Sequence, residues 1–463
     1  MEKTGQGGAK THVRDFTSGN ITSQLVLFAL PLFLSNLLQV FYNMVDMIVV
    51  GHVLGKVGTS AVSVGGDISA LMTFIAMGFS AAGQVIIAKY IGSRQQDKIG
   101  KFVGTMGSFL VVCAIVVSIL GLVFQDALLS LMNTPSDAYA GAKGYSTVCM
   151  LGLVFIYGYN IVSAVLRGMG DSKHPFIFIA IAAIINVILD ILLVALLGMG
   201  AAGAALATVI SQAISFLSCT FFLAKRRKEF GLDIHVKDFL SWNRPMLSDL
   251  VKLGVPMAIK TASIQVSKLF VNSWVNSYGT DVSAFAGIAN KISSISNLVS
   301  AAMNTAGSTM VGQNIAAEMY GRVNKILIRI AVITLTMSSL MSLFVLIFPD
   351  LLFGMFTSDT EVLRYAKAFI PIAILLFFGS SLRAIMNALI NGSGNYRINF
   401  ATAILDGIVM RIGLALLFGV AFKMKHYGFW FGDALAGFTP FWIGLVFYIS
   451  GRWRSNNNKK DTV

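Results

Sequence analysis

Residues 23–50, SQLVLFALPLFLSNLLQVFYNMVDMIVV, decide the fold. As a helix the stretch is long enough to cross about 30 Å of hydrocarbon, which takes roughly 20 residues. Its one acid, Asp46, and its one proline, Pro31, lie deep inside an otherwise apolar run. Similar runs recur near residues 61–88, 104–131, 145–167, 175–198, 202–224, 249–276, 285–312, 326–352, 364–391, 398–421 and 428–450, about twelve in all. Of 463 residues, 56% are hydrophobic and only 12% charged, too apolar for soluble domains of this length, so the excess must face lipid. The expectation is an all-α membrane protein of about 12 transmembrane helices.

The formal charge of +14 is explained by position rather than by a nucleic-acid partner. Lys and Arg gather in the N-terminal tail (Lys3, Lys10, Arg14), at 89–101, 167–173, 225–244 and 322–325, at Arg397, and in the tail 452–460. The intervening hairpin ends, near Lys56, Lys143, Thr280, Asp359 and Lys423, carry few. Positive residues favour the cytoplasmic side, which predicts a multi-pass protein of the cell inner (plasma) membrane with both termini cytoplasmic. Residues 1–20 are polar and Gly-rich and do not read as a cleaved signal peptide. Cys113, Cys149 and Cys219 fall inside spans without metal-ligand spacing and read as small packing residues.

The basic segment 225–249 divides the chain nearly in the middle. Shifting the first half by about 225 positions brings LPLF at 30–33 over VPMA at 255–258, and with nearly the same shift Gly83 meets Gly307 and LRGMGDSK at 166 meets LINGSGNY at 389. A parallel repeat of this kind predicts two pseudo-symmetric six-helix bundles, residues 1–230 and 231–463, around a central cleft that would receive a substrate.

An ionised group at mid-membrane costs at least about 2.5–3.5 kcal/mol, so acids within spans need a reason. Asp46 has Gln39, Tyr42 and Asn43 seven, four and three residues before it, which predicts one polar helical face. In the fifth span Asn186 and Asp190 are one turn apart, and Thr208, past the Gly-rich hairpin 198–203, should return to a similar depth. Asp46, Asn186, Asp190 and Thr208 would supply hard oxygen ligands for a small cation such as sodium, or hold a proton between two crowded carboxylates. Asp67, beside Gly65 and Gly66, lies near the outer end of its span. Under the repeat shift Asp46 meets Val271 and Asp190 falls near Leu414, so the fold does not require acids at these places.

The second half shows the opposite sign in its spans: Lys260, Lys268, Lys291, Arg383 and Arg411 against the single acid Asp406. These are candidate contacts for anionic or zwitterionic groups or for partners across the second bundle. Pro31 removes one helix hydrogen bond and is a candidate hinge. Some of the 21 Met and 34 Phe would give a soft surface for varied apolar ligands.

With these residues in place, the chain resembles the multidrug and toxic compound extrusion (MATE) family over nearly its full length. The resemblance rests on ALPLFLSNLLQVFYNMVDMIVVGHVLG, GFSAAGQVIIAKYIGSR, VLRGMGDSKHPF, NVILDILL and the echo LGVPMAIK. It implies twelve helices in two lobes, alternating access, and export of drug-like small molecules in exchange for sodium or protons, with no cofactor. By position, Asp46, Asn186, Asp190 and Thr208 look like the family's first-lobe cation site, with Tyr42 beside it. Gln39 and Asn160 look like polar residues of the substrate chamber, to which Asn43 is added from the same face, and Pro31 looks like the proline at which the first helix bends. The chain departs from one branch of the family, because its seventh span holds Lys260 and Lys268 and no acid.

The leading expectation is a monomeric secondary active multidrug efflux transporter, an antiporter of amphipathic small molecules. The alternative is a flippase for lipid-linked anionic precursors, which the basic second half would suit. A channel would carry repeated filter or ring residues. No Walker loop is present, and His12, His52, His174, His235 and His426 lie at span ends or in loops without ligand spacing, so no enzymatic activity is expected.

Overall fold

In hydrocarbon every backbone N–H and C=O must be satisfied within its own segment, and the chain meets that demand with helices alone. The computed structural model describes residues 13–233, 235–240, 242–357 and 359–454, and no strand occurs among them. In order, the helices are α1 (Ile21–Gly92), α2 (Asp97–Val123), α3 (Gln125–Leu131), α4 (Tyr139–Leu151), α5 (Leu153–Gly168), α6 (Lys173–Asp190), α7 (Gly200–Lys225), α8 (Val236–Leu240), α9 (Arg244–Asn276), α10 (Thr280–Ala316), α11 (Tyr320–Ile347), α12 (Pro349–Gly354), α13 (Thr360–Leu363), α14 (Ala366–Ser393), α15 (Tyr396–Ile404), α16 (Arg411–Leu416), α17 (Lys425–Ala436) and α18 (Thr439–Ile449). π-helical turns follow α6 (Ile191–Leu196), α15 (Leu405–Met410) and α16 (Leu417–Ala421).

Eight of these segments are long and apolar enough to cross a membrane, or nine when α4 and α5, bent by 49°, count as one span. The twelve expected spans are recovered once two differences are understood. First, α1 is 72 residues long and holds the first two spans, broken only at Gly55, whose φ of 63° is accessible chiefly to glycine. Second, α9 and α10 fall short in apolarity because they carry polar side chains inward, among them Lys260, Ser263, Ser267, Ser296 and Ser300. Elsewhere large apolar side chains such as Ile119, Leu131, Ile184, Phe221 and Val446 lie exposed, as a lipid-facing surface requires.

The chain packs as two compact units. The first takes the described residues through Phe16 together with Leu34–Gly254, and the second takes Thr17–Phe33 with Val255 onward. The change of unit therefore falls just after Phe33, two residues past Pro31 in α1, and just before Val255, which precedes Pro256 in α9, so that each boundary lies within one turn of a proline. Helix α1 passes Pro31 without leaving helical dihedrals. In the second unit Arg322 secures the opening segment by donating to the Ser18 carbonyl at 2.6 Å, the Gly19 carbonyl at 2.9 Å and Gln24 Oε1 at 2.9 Å.

The repeat is visible in the packing. A Cβ on Gly168 would meet the Gln84 carbonyl at 2.9 Å and the Ile87 side chain, and one on Gly392 would meet the Ser308 carbonyl at 2.8 Å and the Val311 side chain. Gly83 meets Met106, and Gly307 meets Ile330. Each of these positions recurs at one offset, 392 minus 168, or 224. Close helix approach over small residues is the main source of packing energy where lipid is as apolar as the core. Gly168→Leu and Gly392→Leu are each expected to destabilise the protein by about 1–3 kcal/mol or more through overpacking, read as a lower Tm in detergent. An unchanged Tm in both would remove the close approach as a stabilising contact.

Candidate functional site

In the first unit, α1 brings Asp46 into the interior, where it is 9% exposed and its Oδ1 has no hydrogen-bond partner. Helix α6 brings Asn186, 3% exposed, and Asp190, fully buried, and neither side chain has a hydrogen-bond partner. Asp46 and Asp190 are close enough for their charges to interact. The α6 ladder loosens into a π turn directly after Asp190, the kind of local irregularity that collects at functional positions.

A small cavity of about 10 Å3 opens beside them, lined by Tyr42 from α1, Ile179, Ala182, Ala183 and Asn186 from α6, and Thr208, Ser211 and Gln212 from α7. That is room for about one water-sized particle. Thr208 Oγ1 donates to the Ala204 carbonyl at 3.1 Å and Ser211 Oγ to the Ala207 carbonyl at 2.6 Å. Each hydroxyl thus spends its only proton within α7 and keeps its lone pairs for a positive ligand. Ionised carboxylates without partners cost several kcal/mol each in such surroundings, so the site calls for a proton or a small cation. The oxygens that line the cavity belong to amides and hydroxyls, a hard set that suits sodium, and Asp190 stands one helical turn beyond Asn186. Among the described residues no three His, Cys, Asp or Glu side chains come together, so any cation here would lean on neutral oxygens as well.

The structure thus groups Tyr42, Asn186 and Thr208 around one cavity and brings Asp46 within range of Asp190. Asn43 is exposed and Gln39 partly buried, so the polar stripe expected on α1 turns only its Tyr42 and Asp46 edge inward. Asn160 is partly buried and donates to the Ile156 carbonyl at 2.8 Å. Asp67 is exposed and stands apart. Tyr145, on α4, was not singled out by sequence reasoning, yet it lies within electrostatic range of Asp46 and Tyr42. Its signal was faint, since a tyrosine near a span end ordinarily reads as an interfacial anchor.

The second unit holds an ionic network. Arg383 Nη2 donates to Asp406 Oδ1 at 3.0 Å, Arg411 Nη2 lies 3.5 Å from the same oxygen, and Arg411 Nη1 pairs with Asp433 Oδ1. Asp406 is fully buried and Arg411 is 3% exposed. Lys260 Nζ donates to Asn387 Oδ1 at 2.6 Å. Lys268 feels the charges of Asp433, Arg411, Arg383 and Asp406 without a direct bond to any of them. Two expectations need correction. Asp406 is not the single acid of these spans, because Asp433 in α17 joins it, and Lys291 is exposed and stands over the Phe356 ring at 5.9 Å, outside the network.

The repeat relates the two interiors. Pro31 and Pro256 are 225 positions apart (256 minus 31), and the same step carries Asn186 and Thr208 to Arg411 and Asp433. It also carries Tyr42 and Ala182, both lining the first-unit cavity, to Ser267 and Gly407, where Ser267 Oγ donates to the Gly407 carbonyl. At the positions this step reaches, the second unit holds a salt bridge and a hydrogen bond.

An all-helical membrane protein of two repeated units, with acids buried in the interior of each, has the make-up of a multi-pass transporter. The sequence profile of the MatE family matches residues 31–192 and 256–431, and the chain belongs to that family. It is 27% identical over 441 residues, 95% of this chain and 98% of the relative, to the probable multidrug resistance protein YpnP of Bacillus subtilis (strain 168). It is 23% identical over 438 residues, 94% of this chain and 93% of the relative, to the probable multidrug resistance protein NorM of Thermotoga maritima. The fold is that of solved MATE transporters. One in complex with MaD3S aligns with a TM-score of 0.86 at 22% identity over 95% of this chain and 99% of that one. A MOP superfamily transporter from Pyrococcus furiosus, described as having a binding pocket of reverse polarity that suggests a different function, aligns at 0.87 and 22% identity over 97% and 99%.

Proposed function

We propose that the chain is a secondary active multidrug efflux transporter that exports amphipathic small molecules by alternating access, driven by proton or sodium entry. One observation carries this reading: Asp46 and Asp190 are buried in the first unit with carboxylate oxygens that meet no hydrogen-bond donor. A proton or sodium ion that neutralises them in one conformation and not in the other supplies the differential affinity that drives a cycle. The pocket of Tyr42, Asn186 and Thr208 would hold the ion. Gln39, Asn43 and Asn160 are polar positions available to substrate, and Pro31, at the place where α1 changes unit, is the hinge. The names of the relatives, probable multidrug resistance proteins, support drug-like substrates. The basic loops support an inner-membrane protein with cytoplasmic termini.

The test is transport of rhodamine 6G, an amphipathic cation, and fluorescein, an amphipathic anion, by proteoliposomes under imposed sodium or proton gradients. Movement of either dye that depends on one gradient and collapses with an ionophore is the expected result. Dye fluxes equal to those of empty liposomes under both gradients would overturn the reading.

A further inference from the structure

Four cations in the interior of the second unit, Lys260, Lys268, Arg383 and Arg411, face two carboxylates, Asp406 and Asp433. Arg411 is matched by both acids and Arg383 by Asp406. Lys260 has only the neutral Asn387 amide oxygen, and Lys268 has no direct partner. Four positive groups less two negative ones leave a formal excess of two positive charges. An excess of that kind in a membrane interior is costly unless something negative enters it.

We propose that Lys260, Lys268 and Arg383 form a binding site for the anionic group, a carboxylate or a phosphate, of an amphipathic ligand. Lys260 is 8% exposed and Arg383 keeps 19% of its side-chain surface open, so the cations are sheltered enough for their charge to act strongly and open enough to be reached. The guanidinium of Arg383 spends one N–H on Asp406 and has others to offer, in the planar fork that matches a carboxylate or phosphate. Lys260 and Lys268 add ammonium donors from α9, with Lys268 partly exposed.

By the repeat, the fold does not require the charge at Lys268, which stands 225 positions after Asn43, the step that joins Pro31 to Pro256, so that a neutral amide in the first half is replaced by a cation in the second. Lys291, exposed and over Phe356, takes no part. This site deepens the exporter reading and rests on it for the ligand's transport, whereas binding itself needs no gradient.

The experiment is equilibrium binding of fluorescein, read by anisotropy, to the full chain in phosphatidylcholine nanodiscs, with rhodamine 6G as the cationic counterpart. Fluorescein is expected to bind, and Lys268→Gln is expected to weaken it about tenfold, the effect of losing one charged hydrogen bond, while rhodamine 6G is held no less tightly. Lys268 has no direct bond to lose, so its replacement should fold, and Lys268→Arg should restore the affinity. Fluorescein binding no stronger than to empty nanodiscs, or equal binding by the wild type and a folded Lys268→Gln variant, would overturn the site. Nanodiscs containing phosphatidylglycerol separate the sources of the anion: a fall in fluorescein affinity there assigns the site to a lipid headgroup, and an unchanged affinity assigns it to a soluble amphiphile. Failure of gradient-driven flux with fluorescein binding intact would defeat the exporter reading and leave the anion site standing.

Discussion

Asp190→Asn and Asp46→Asn are each expected to bring gradient-driven dye transport down by about two orders of magnitude, since an ion that shifts a two-state equilibrium from one side to the other must discriminate between the states by on the order of 100-fold to 10⁴-fold. The replacement is nearly isosteric and removes only the titratable charge. The amide resembles the carboxyl in its neutralised state, so each variant should rest in the conformation that the bound ion favours and cease to respond to the gradient. Stability should move the other way. Both Asp190 oxygens and one Asp46 oxygen are without hydrogen-bond partners, so replacing the acid removes a desolvation cost, and Tm should hold or rise. Proteoliposome flux together with thermal unfolding in detergent checks both halves. Asp190→Asn protein that still moves dye along a sodium or proton gradient at the wild-type rate would sink the first-unit coupling site.

The helical spans were legible because lipid leaves the backbone no alternative, and a run of some 20 apolar residues has few other meanings. The break between the first two spans was less so. Nothing in VVGHVLGKVG shows that helix continues on both sides of Gly55, because a single glycine can serve either a loop or a one-residue kink. The juxtaposition of Asn186 and Thr208 was readable from spacing alone, since Thr208 returns across a hairpin to the depth of Asn186 and both line one cavity. Asn43 shows the limit of that method, since helical periodicity groups residues on a face but does not say where the face ends. Asp433 was missed for a different reason. In HYGFWFGDALAG it sits among aromatics and glycines with no polar residue three or four positions away, and its meaning comes from Arg411 on another helix, which no local pattern reveals.

Arg411→Met is expected to cost about 3–5 kcal/mol of stability, the largest loss of any single replacement in the second unit, because it leaves Asp406 and Asp433 facing each other in the interior with Arg383 and distant ammonium groups as compensation. Adding Asp433→Leu should recover most of that loss, since exchanging a buried pair for apolar side chains of similar volume is often neutral or stabilising. Thermal unfolding and chromatographic homogeneity in detergent measure both variants. The pair matters beyond stability because it stands where the repeat puts Asn186 and Thr208. A guanidinium is part of the chain, so under the proposed reading the second half carries as a fixed, paired charge what a bound ion would supply in the first. If the single variant were as stable as the wild type, Arg411 would not hold that charge balance, and the contrast between a responsive first unit and a fixed second one would lose its physical basis.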